Sequence, residues 1–600
     1  MKKATIILLA LLTILSTSAQ QDKRLKGLDN ELEKILDITK APGFAVAIVQ
    51  GKDIVYAKGF GYRDYDKQSP VDANTLFAIG SCTKAFTSAI LGQLQDEDKL
   101  SLDDSPIKYI PELRFYNDEM NNNIIIKDLM SHRTGLPRHD ISWYFFPSND
   151  RDSIMERIAY QEPFTGVRKT WYYNNFMFLT QGVIAERITS KSWEENVKER
   201  FFDPLGMARS NVSIDELELS DNAALGYKLT KGDKIKKLDY YHIAGMSPAG
   251  SINSSVKEMS NWLITWINNG KFNNNEIIPA GYRREAISSQ MVIGAALPDS
   301  EFPDMHMANY GYGWMLSSYR GHYRVTHGGA IDGFTADVTF YPSDSVGIVV
   351  LCNQNGSSVP GLVRNTVADR MLEADRTDWA KRFKKRSDEA KKKEKDAMSE
   401  SESAKVKNTK PSHILIEYEG VYSNKGYGAF SLNVENDSLF VYLPLKKLYL
   451  RHLHYDVFEP FEVTETGIDT SEAGQLIFNF STSDAGDISA LSLTLESSLD
   501  PIVFKRTPKS YNVDINVLES YVGEYDLSGT PVKIYIKDEN TLYLFVEGQP
   551  EYEQLATSKH KFSFKTLEGF KIEFLEDDHG EISVMKITQP NGVFTTKRSK

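Results

Sequence analysis

Gly80-Ser81-Cys82-Thr83-Lys84-Ala85-Phe86 is the stretch around which the chain is organised. It closes a strand-like run at 74–79 and opens a run with helical spacing, Phe86, Ile90 and Leu94. A serine on the first turn of a helix lies among backbone N–H groups that lack intrahelical partners. The positive end of the helix dipole also lies there and suits developing negative charge. Lys84, three residues on, shares the helical face of Ser81. A hydroxyl is a poor nucleophile until a base takes its proton, and a desolvated lysine is such a base. The stretch therefore predicts Ser81 as a nucleophile activated by Lys84. Spacing alone does not single it out, because Ser-x-x-Lys recurs at Ser105/Lys108, Ser254/Lys257 and Ser558/Lys561. Ser105 precedes Pro106 in a polar loop, Ser254 reads as a helix N-cap, and Ser558 falls in a strand-rich tail.

The ends and the composition set the frame. Met1-Lys2-Lys3, an apolar core at 4–15 and Ser16-Thr17-Ser18-Ala19 have the form of a secretory signal peptide, residues 1–19. The apolar core is too short to span a bilayer comfortably, and no Cys follows it as a lipid anchor. The mature protein is expected to be exported, periplasmic or extracellular, with no stable membrane span. With 600 residues, several domains are expected. A net charge of −12 and the lack of a basic stripe argue against nucleic acid as a partner. The two cysteines, Cys82 and Cys352, provide no disulfide framework and read as packed thiols. No His-Glu-x-x-His or paired Cys-x-x-Cys occurs, so neither a metal nor another cofactor is expected.

Along the chain, a leading amphipathic helix at 25–38 precedes short apolar runs at 44–49 and 54–57, joined by the hairpin-like Gln50-Gly51-Lys52-Asp53. Helical patterns occupy 176–188, 193–202 and 256–266. Strand-like runs follow at 323–326, 335–341 and 347–351, and then a helix at 360–374. Strands at both ends with helices between them predict an α+β domain, an antiparallel sheet flanked by helices with a helical subdomain, over residues 20–375. Residues 376–412, dense in Lys, Glu, Ser and Ala, read as a charged helix fraying into a disordered linker. Beyond it lies an internal repeat: Tyr418-Glu419-Gly420-Val421-Tyr422 answers Tyr521-Val522-Gly523-Glu524-Tyr525, and Phe504-Lys505-Arg506 answers Thr596-Lys597-Arg598. Two small antiparallel β-barrels, 413–508 and 509–600, are expected.

Two clusters give Ser81 its context. Trp171-Tyr172-Tyr173-Asn174-Asn175 contains two overlapping Tyr-x-Asn patterns, and Thr326-His327-Gly328-Gly329-Ala330 lies in strand-like sequence. In this order the three motifs resemble the serine β-lactamase/penicillin-binding-protein superfamily. The closer likeness is to its class C-related branch of D-aminopeptidases, D-alanyl-D-alanine carboxypeptidases and carboxylesterases, some of which carry lipocalin-like β-domains. The supporting pieces are Asp128-Leu129-Met130-Ser131-His132-Arg133-Thr134-Gly135-Leu136-Pro137, Asp203-Pro204-Leu205-Gly206-Met207 and Pro248-Ala249-Gly250-Ser251-Ile252. In that family a Gly and a Glu of the following helix stand at fixed offsets from the tyrosine. Gly182 and Glu186 match if the pair is Tyr173/Asn175.

The resemblance implies that Ser81 forms an acyl-enzyme while Tyr173, as phenolate or hydrogen-bonded to Lys84, moves the proton. It implies an oxyanion hole from the backbone N–H groups of Ser81 and Ala330, and an Asn175 that holds the substrate amide and orients Lys84. Gly328 and Gly329 would let the substrate backbone lie against the strand. His327-Gly328-Gly329 stands where penicillin-recognising members have Lys-Thr-Gly, and a histidine is only partly charged at neutral pH. The site is thus expected to take a small-molecule or peptide substrate rather than penicillins. A peptidase or amidase comes first, a carboxylesterase second, a β-lactamase third, and a silent ligand-binding protein is the reading from another class. The sequence leaves a homo-oligomer open.

Overall fold

The computed structural model describes residues 22–599 except 231, 295, 296, 299, 404, 405, 466, 471, 472, 475, 485, 539 and 568, with only the backbone described over 394–403. The expected signal peptide lies outside the described residues.

The first long helix, α1 (Leu28–Thr39), buries Leu28, Leu32 and Ile35 at helical spacing. It leads into β1 (Gly43–Gln50) and β2 (Asp53–Asp64), joined through Gly51 at φ +64°, then β3 (Ser69–Pro70). The sheet is completed late in the chain by β4 (Met291–Gly294), β5 (Ala308–Tyr310), β6 (Met315–Tyr319), β7 (His322–Ile331), β8 (Phe334–Tyr341) and β9 (Val346–Cys352). Among the described residues these nine strands form one antiparallel sheet in the order β4-β5-β6-β7-β8-β9-β1-β2-β3. The central strand β1 separates two cores by its period of two. Ala45, Ala47 and Val49 face one core, which holds the helical subdomain. Phe44, Val46 and Ile48 face the other, covered by α1 and the late helix Val359–Met371.

The helical subdomain supplies α2 (Lys84–Asp96), α3 (Phe176–Thr189) and α4 (Val256–Ile267). From Lys84 to Gly92 every residue of α2 is buried, as befits a helix packed on all sides. Ser255, not the expected Ser254, caps α4 by accepting from Glu258 N–H at 3.2 Å, while Ser254 lies in a short strand paired with Phe77. The run at 74–79 is strand only at Phe77–Ala78. Its remaining backbone bonds reach distant segments, Leu76 N–H to Asn222 O and Ile79 N–H to Ile252 O, so it is extended chain clamped between loops.

A charged helix, Trp379–Ser403, follows this domain and joins the core under α1 and the helix Val359–Met371 through Trp379 and Phe383. Among the described residues, no helix is long and apolar enough to cross a membrane. Beyond it the chain forms two eight-stranded antiparallel barrels. In the first, strands between Gly420 and Pro508 close where Lys447–His454 pairs with Val457–Thr464. In the second, Gly523–Leu527 pairs with Gly592–Arg598. The sequence repeat is a repeat of bonds. Tyr422 donates to Tyr418 O at 2.8 Å, and Tyr525 donates to Tyr521 O at 3.0 Å. Arg506 and Arg598 reach the next carbonyls, those of Glu419 and Val522.

Candidate active site

Ser81 sits in a 3-10 turn, Gly80–Thr83, that runs directly into α2. The turn is fixed against β7. A Cβ on Gly80, where φ is +50°, would lie 2.8 Å from Ala330 N, and one on Gly329 would lie 1.9 Å from Ile79 O. Strand and nucleophile turn touch backbone to backbone, which only glycine permits. Gly329→Ala is therefore expected to push β7 off the turn and slow acylation of Ser81 by at least ~10²-fold. Fluorophosphonate labelling rates check this, and unchanged labelling would contradict the contact.

The register of β7 supplies the N–H groups around Ser81. Ile331 pairs with Phe334 across the two-residue turn Asp332-Gly333, so it is the hydrogen-bonded pair that closes the hairpin. Ala330/Thr335 and Gly328/Asp337 are then non-hydrogen-bonded pairs, whose N–H and C=O groups point away from β8. On that side β6 pairs with β7 only as far as Thr326, which leaves the edge at 327–331 open toward Ser81. The Ala330 N–H lies on this edge, against the backbone of Gly80.

Lys84 is fully buried, and its Nζ donates to Ser81 Oγ at 3.0 Å and to Ala249 O at 2.7 Å. Burial, helped by the nearby Arg138 cation, holds its basicity well below that of an ordinary lysine. The Ala249 carbonyl reaches Lys84 because Gly182 of α3 lets the Pro248-Ala249 turn approach, a Cβ there falling 2.3 Å from Pro248. Glu186, one turn on, accepts from Trp193 N–H at 2.9 Å and pairs with Arg151, fixing the next helix. The expected orienting of Lys84 by Asn175 is thus corrected, since Ala249 holds the amine. Asn175 instead donates to Asp140 Oδ1 at 2.8 Å, and its own Oδ1 is buried without a protein partner.

Tyr173, not Tyr172, faces the amine, with Lys84 Nζ 4.9 Å from its ring centroid. Tyr172 turns away to Phe164, and Asn174 is structural, bonding His132 Nδ1 and Pro137 O. Burial raises the Tyr173 pKa far above the usual phenol, partly offset by a hydrogen bond from Ser81 and by the Arg138 guanidinium. The guanidinium lies 4.7 Å over the Tyr173 ring. The cation that acts on Tyr173 is therefore Arg138 rather than Lys84.

His327 also departs from expectation. Its ring is buried, with Nδ1 2.6 Å from Gly328 O and Nε2 2.9 Å from the Tyr310 hydroxyl. A carbonyl only accepts, so Nδ1 carries the proton and Nε2 accepts from Tyr310. Burial pushes its pKa down to about 3, and the ring is neutral rather than partly charged at pH 7. It packs near Tyr173 and presents no charge to the cleft. Cys82 and Cys352 are free and buried, and Cys82 donates to His327 O.

Arg138, over the Tyr173 ring, and Asp140, which accepts from Asn175, are residues that sequence reasoning passes over. Arg138 and Asp140 directly follow the quoted Leu136-Pro137 and carry opposite charges next to that motif.

With this geometry in view, comparison with known proteins is direct. Residues 28–372, more than half of the chain, match the family model described as Beta-lactamase. The chain belongs to the beta-lactamase family. Residues 404–506 match a domain of unknown function (DUF3471). Among curated proteins, an unguisins hydrolase of Aspergillus violaceofuscus is 26% identical over 67% of this chain and 76% of its own length. Protein flp of Staphylococcus aureus is 25% identical over 56% of this chain, an alignment that spans 65% of flp. Among solved structures, the octameric penicillin-binding protein homologue from Pyrococcus abyssi superposes with a TM-score of 0.53 at 22% identity. That alignment covers 80% of this chain and all of the homologue. The last likeness is one of fold. The beta-lactamase-family fold here places the Ser81 turn, the Tyr173 segment and the edge of β7 around one cleft.

Proposed function

We propose that this beta-lactamase-family protein is an exported serine hydrolase working through an acyl-enzyme on Ser81, with amide bonds of small peptides or cell-wall-type fragments as its substrates. The observation that carries the proposal is the Lys84 amine, buried, weakened as a base relative to free lysine and 3.0 Å from the Ser81 hydroxyl. A neutral amine there takes the Ser81 proton as Oγ attacks the carbonyl carbon. The N–H groups of Ser81 and Ala330 receive the oxyanion. Tyr173 stays a phenol and passes a proton from the Lys84 ammonium to the departing nitrogen. The carbonyl–nitrogen bond then breaks and leaves an ester on Ser81, which water hydrolyses. Asn175 Oδ1, lacking a protein partner, can accept a substrate N–H. The relative named a hydrolase supports the reaction class.

A carboxylesterase is the second reading. The neutral His327 supports it, because the cleft gains no cation there for a substrate carboxylate. The same neutrality argues against penicillins. Assembly as a homo-oligomer, the state named for the Pyrococcus abyssi homologue, belongs to the proposal and is checked by light scattering. The substrate proposal is tested with a panel of D-amino-acid amides, p-nitrophenyl esters and nitrocefin on wild type and Ser81→Ala. Amide turnover lost by about 10³-fold or more in Ser81→Ala is expected. Turnover of esters alone would transfer the assignment to the second reading, and amide hydrolysis undiminished in Ser81→Ala would end both.

A further inference from the structure

Two strands of the first barrel, Gly420–Asn424 and Gly428–Glu435, are joined by the turn Lys425-Gly426-Tyr427. The turn is seated on the segment 138–160 of the beta-lactamase-family domain, and the approach is close. A Cβ on Gly426 would lie 3.0 Å from Tyr160 O, and one on Gly428 would lie 2.9 Å from the Phe146 ring. Phe146 itself enters the barrel's core beside Phe430 and Phe504. Ser142 donates to Gly426 O at 2.7 Å. The Arg157 guanidinium donates to the carbonyls of Ser142 and Phe146 on its own side and of Tyr427 across the junction.

At the centre of this junction His139 and Tyr427 are 0% and 1% exposed. His139 Nε2 lies 3.0 Å from Glu162 O, and since a carbonyl only accepts, Nε2 carries the proton. Nδ1 therefore accepts from the Tyr427 hydroxyl at 2.7 Å. The ring is held at both ends, once by its own domain and once by the barrel. The His139 backbone lies at φ +49°, a left-handed conformation that a non-glycine residue keeps only when its surroundings hold it there. Packing alone gives no reason for the hydroxyl. The Tyr427 ring meets Phe504 edge-on, a contact open to phenylalanine too, and a buried hydroxyl is costly unless bonded.

The residues on either side of His139 are those that touch the site. Arg138 covers the Tyr173 ring, and Asp140 Oδ1 accepts from Asn175 at 2.8 Å and from Trp143 at 2.9 Å. Tyr144, on the same segment, donates to the Asp332 carboxylate at 2.8 Å, on the turn next to Ala330. We propose that Tyr427 of the first barrel is a positioning residue of the active site. Its hydroxyl holds His139 in the conformation that keeps Arg138 on Tyr173 and Asp140 on Asn175. The barrel thereby completes the site, which gives a role to the segment 404–506 that matches a domain of unknown function.

This inference rests on the Ser81 acyl-enzyme reading above. In that reading Tyr173 protonates the departing nitrogen and Asn175 holds the substrate amide, so amide hydrolysis depends on both. A fluorophosphonate offers no amide to Asn175. The Ser81 Oγ–phosphorus bond forms, the phosphorus–fluorine bond breaks, Lys84 takes the proton, and fluoride departs as an anion that needs none. The two reactions on one variant therefore separate loss of position from loss of fold.

The test uses full-length wild type, Tyr427→Phe and His139→Asn. The readouts are kcat/KM for D-amino-acid amides, the rate of fluorophosphonate labelling of Ser81, and amide hydrogen exchange followed by mass spectrometry. Tyr427→Phe is expected to lower amide kcat/KM about tenfold and labelling by less than about twofold. Its exchange is expected to rise in peptides carrying 138–146 and 173–175 and to stay unchanged in the rest of the barrel. In His139→Asn the side-chain oxygen stands where Nδ1 stood and asparagine accepts a positive φ, so hydrolysis should fall by less than about threefold. Equal amide hydrolysis by wild type and Tyr427→Phe would overturn the proposal. So would labelling that falls in step with hydrolysis, exchange unchanged at 173–175, or a His139→Asn protein as slow as Tyr427→Phe. A wild type that leaves Ser81 unlabelled would instead refute the acyl-enzyme reading. One that labels but hydrolyses no amide would refute the amide reading alone, and the exchange at 173–175 then decides the positioning.

Discussion

Lys84→Met is expected to slow acylation of Ser81 by about 10³-fold and to leave the protein folded. Methionine fills much of the same buried space, and the change removes an amine whose charged form burial disfavours, so stability should change little. What is lost is the 3.0 Å hydrogen bond from Lys84 Nζ to Ser81 Oγ. The pH dependence gives a second, signed check. A general base acts when deprotonated, so wild-type acylation rises with pH as Lys84 loses its proton. Because burial holds the Lys84 pKa well below that of free lysine, the plateau is reached at a lower pH than an exposed amine would give. A Lys84→Met protein that labels as fast as wild type would assign proton removal to another group.

Asp128→Ala is expected to cost about 3 kcal/mol of stability. Asp128 is fully buried, pairs with Arg133 at 2.6 Å and Arg168 at 2.7 Å, and accepts from Ile125 N–H at 3.0 Å. Truncation leaves two guanidinium groups without their common partner, one of them mostly shielded from solvent. The low end of the cost of a broken buried pair applies because Arg168 is half-exposed. The effect reaches the site, because the anchored segment carries His132, held at φ +54° with its ring 4.2 Å from that of Tyr173. All seven tryptophans lie between 143 and 379, so denaturant unfolding followed by tryptophan fluorescence reports this part of the chain without the barrels. A midpoint equal to that of wild type would show that the pair contributes nothing.

What could be seen in the sequence was local or ordered. The Ser81/Lys84 spacing survives because both residues lie on one continuous turn-and-helix segment, 80–96. The strands at 335–341 and 347–351 are buried along their whole length because both faces of the sheet are covered, and the structure extends the first by Phe334 and the second by Val346 and Cys352. The barrel repeat was visible because each half reuses the same tyrosine-to-carbonyl bond. What could not be seen depends on partners far apart in the chain. The carbonyl that orients Lys84 lies 165 residues away, and the Tyr427 hydroxyl that meets His139 lies 288 residues from it. The charge state of His327 was misjudged for the same reason. A histidine's ordinary pKa places it near neutrality, and burial, with Lys84 nearby, lowers it against the bond to Gly328 O, which favours the charged form. At 74–79 the residues are extended, but their hydrogen bonds go to loops, which strand propensity cannot reveal.

The central claim is that Ser81 becomes acylated. The most direct measurement is mass-spectrometric mapping of the full-length protein after reaction with a fluorophosphonate probe, on wild type and Ser81→Ala. A single adduct on the peptide carrying Ser81, absent from Ser81→Ala, is the predicted result, and an adduct on another residue or one that persists in Ser81→Ala would contradict it.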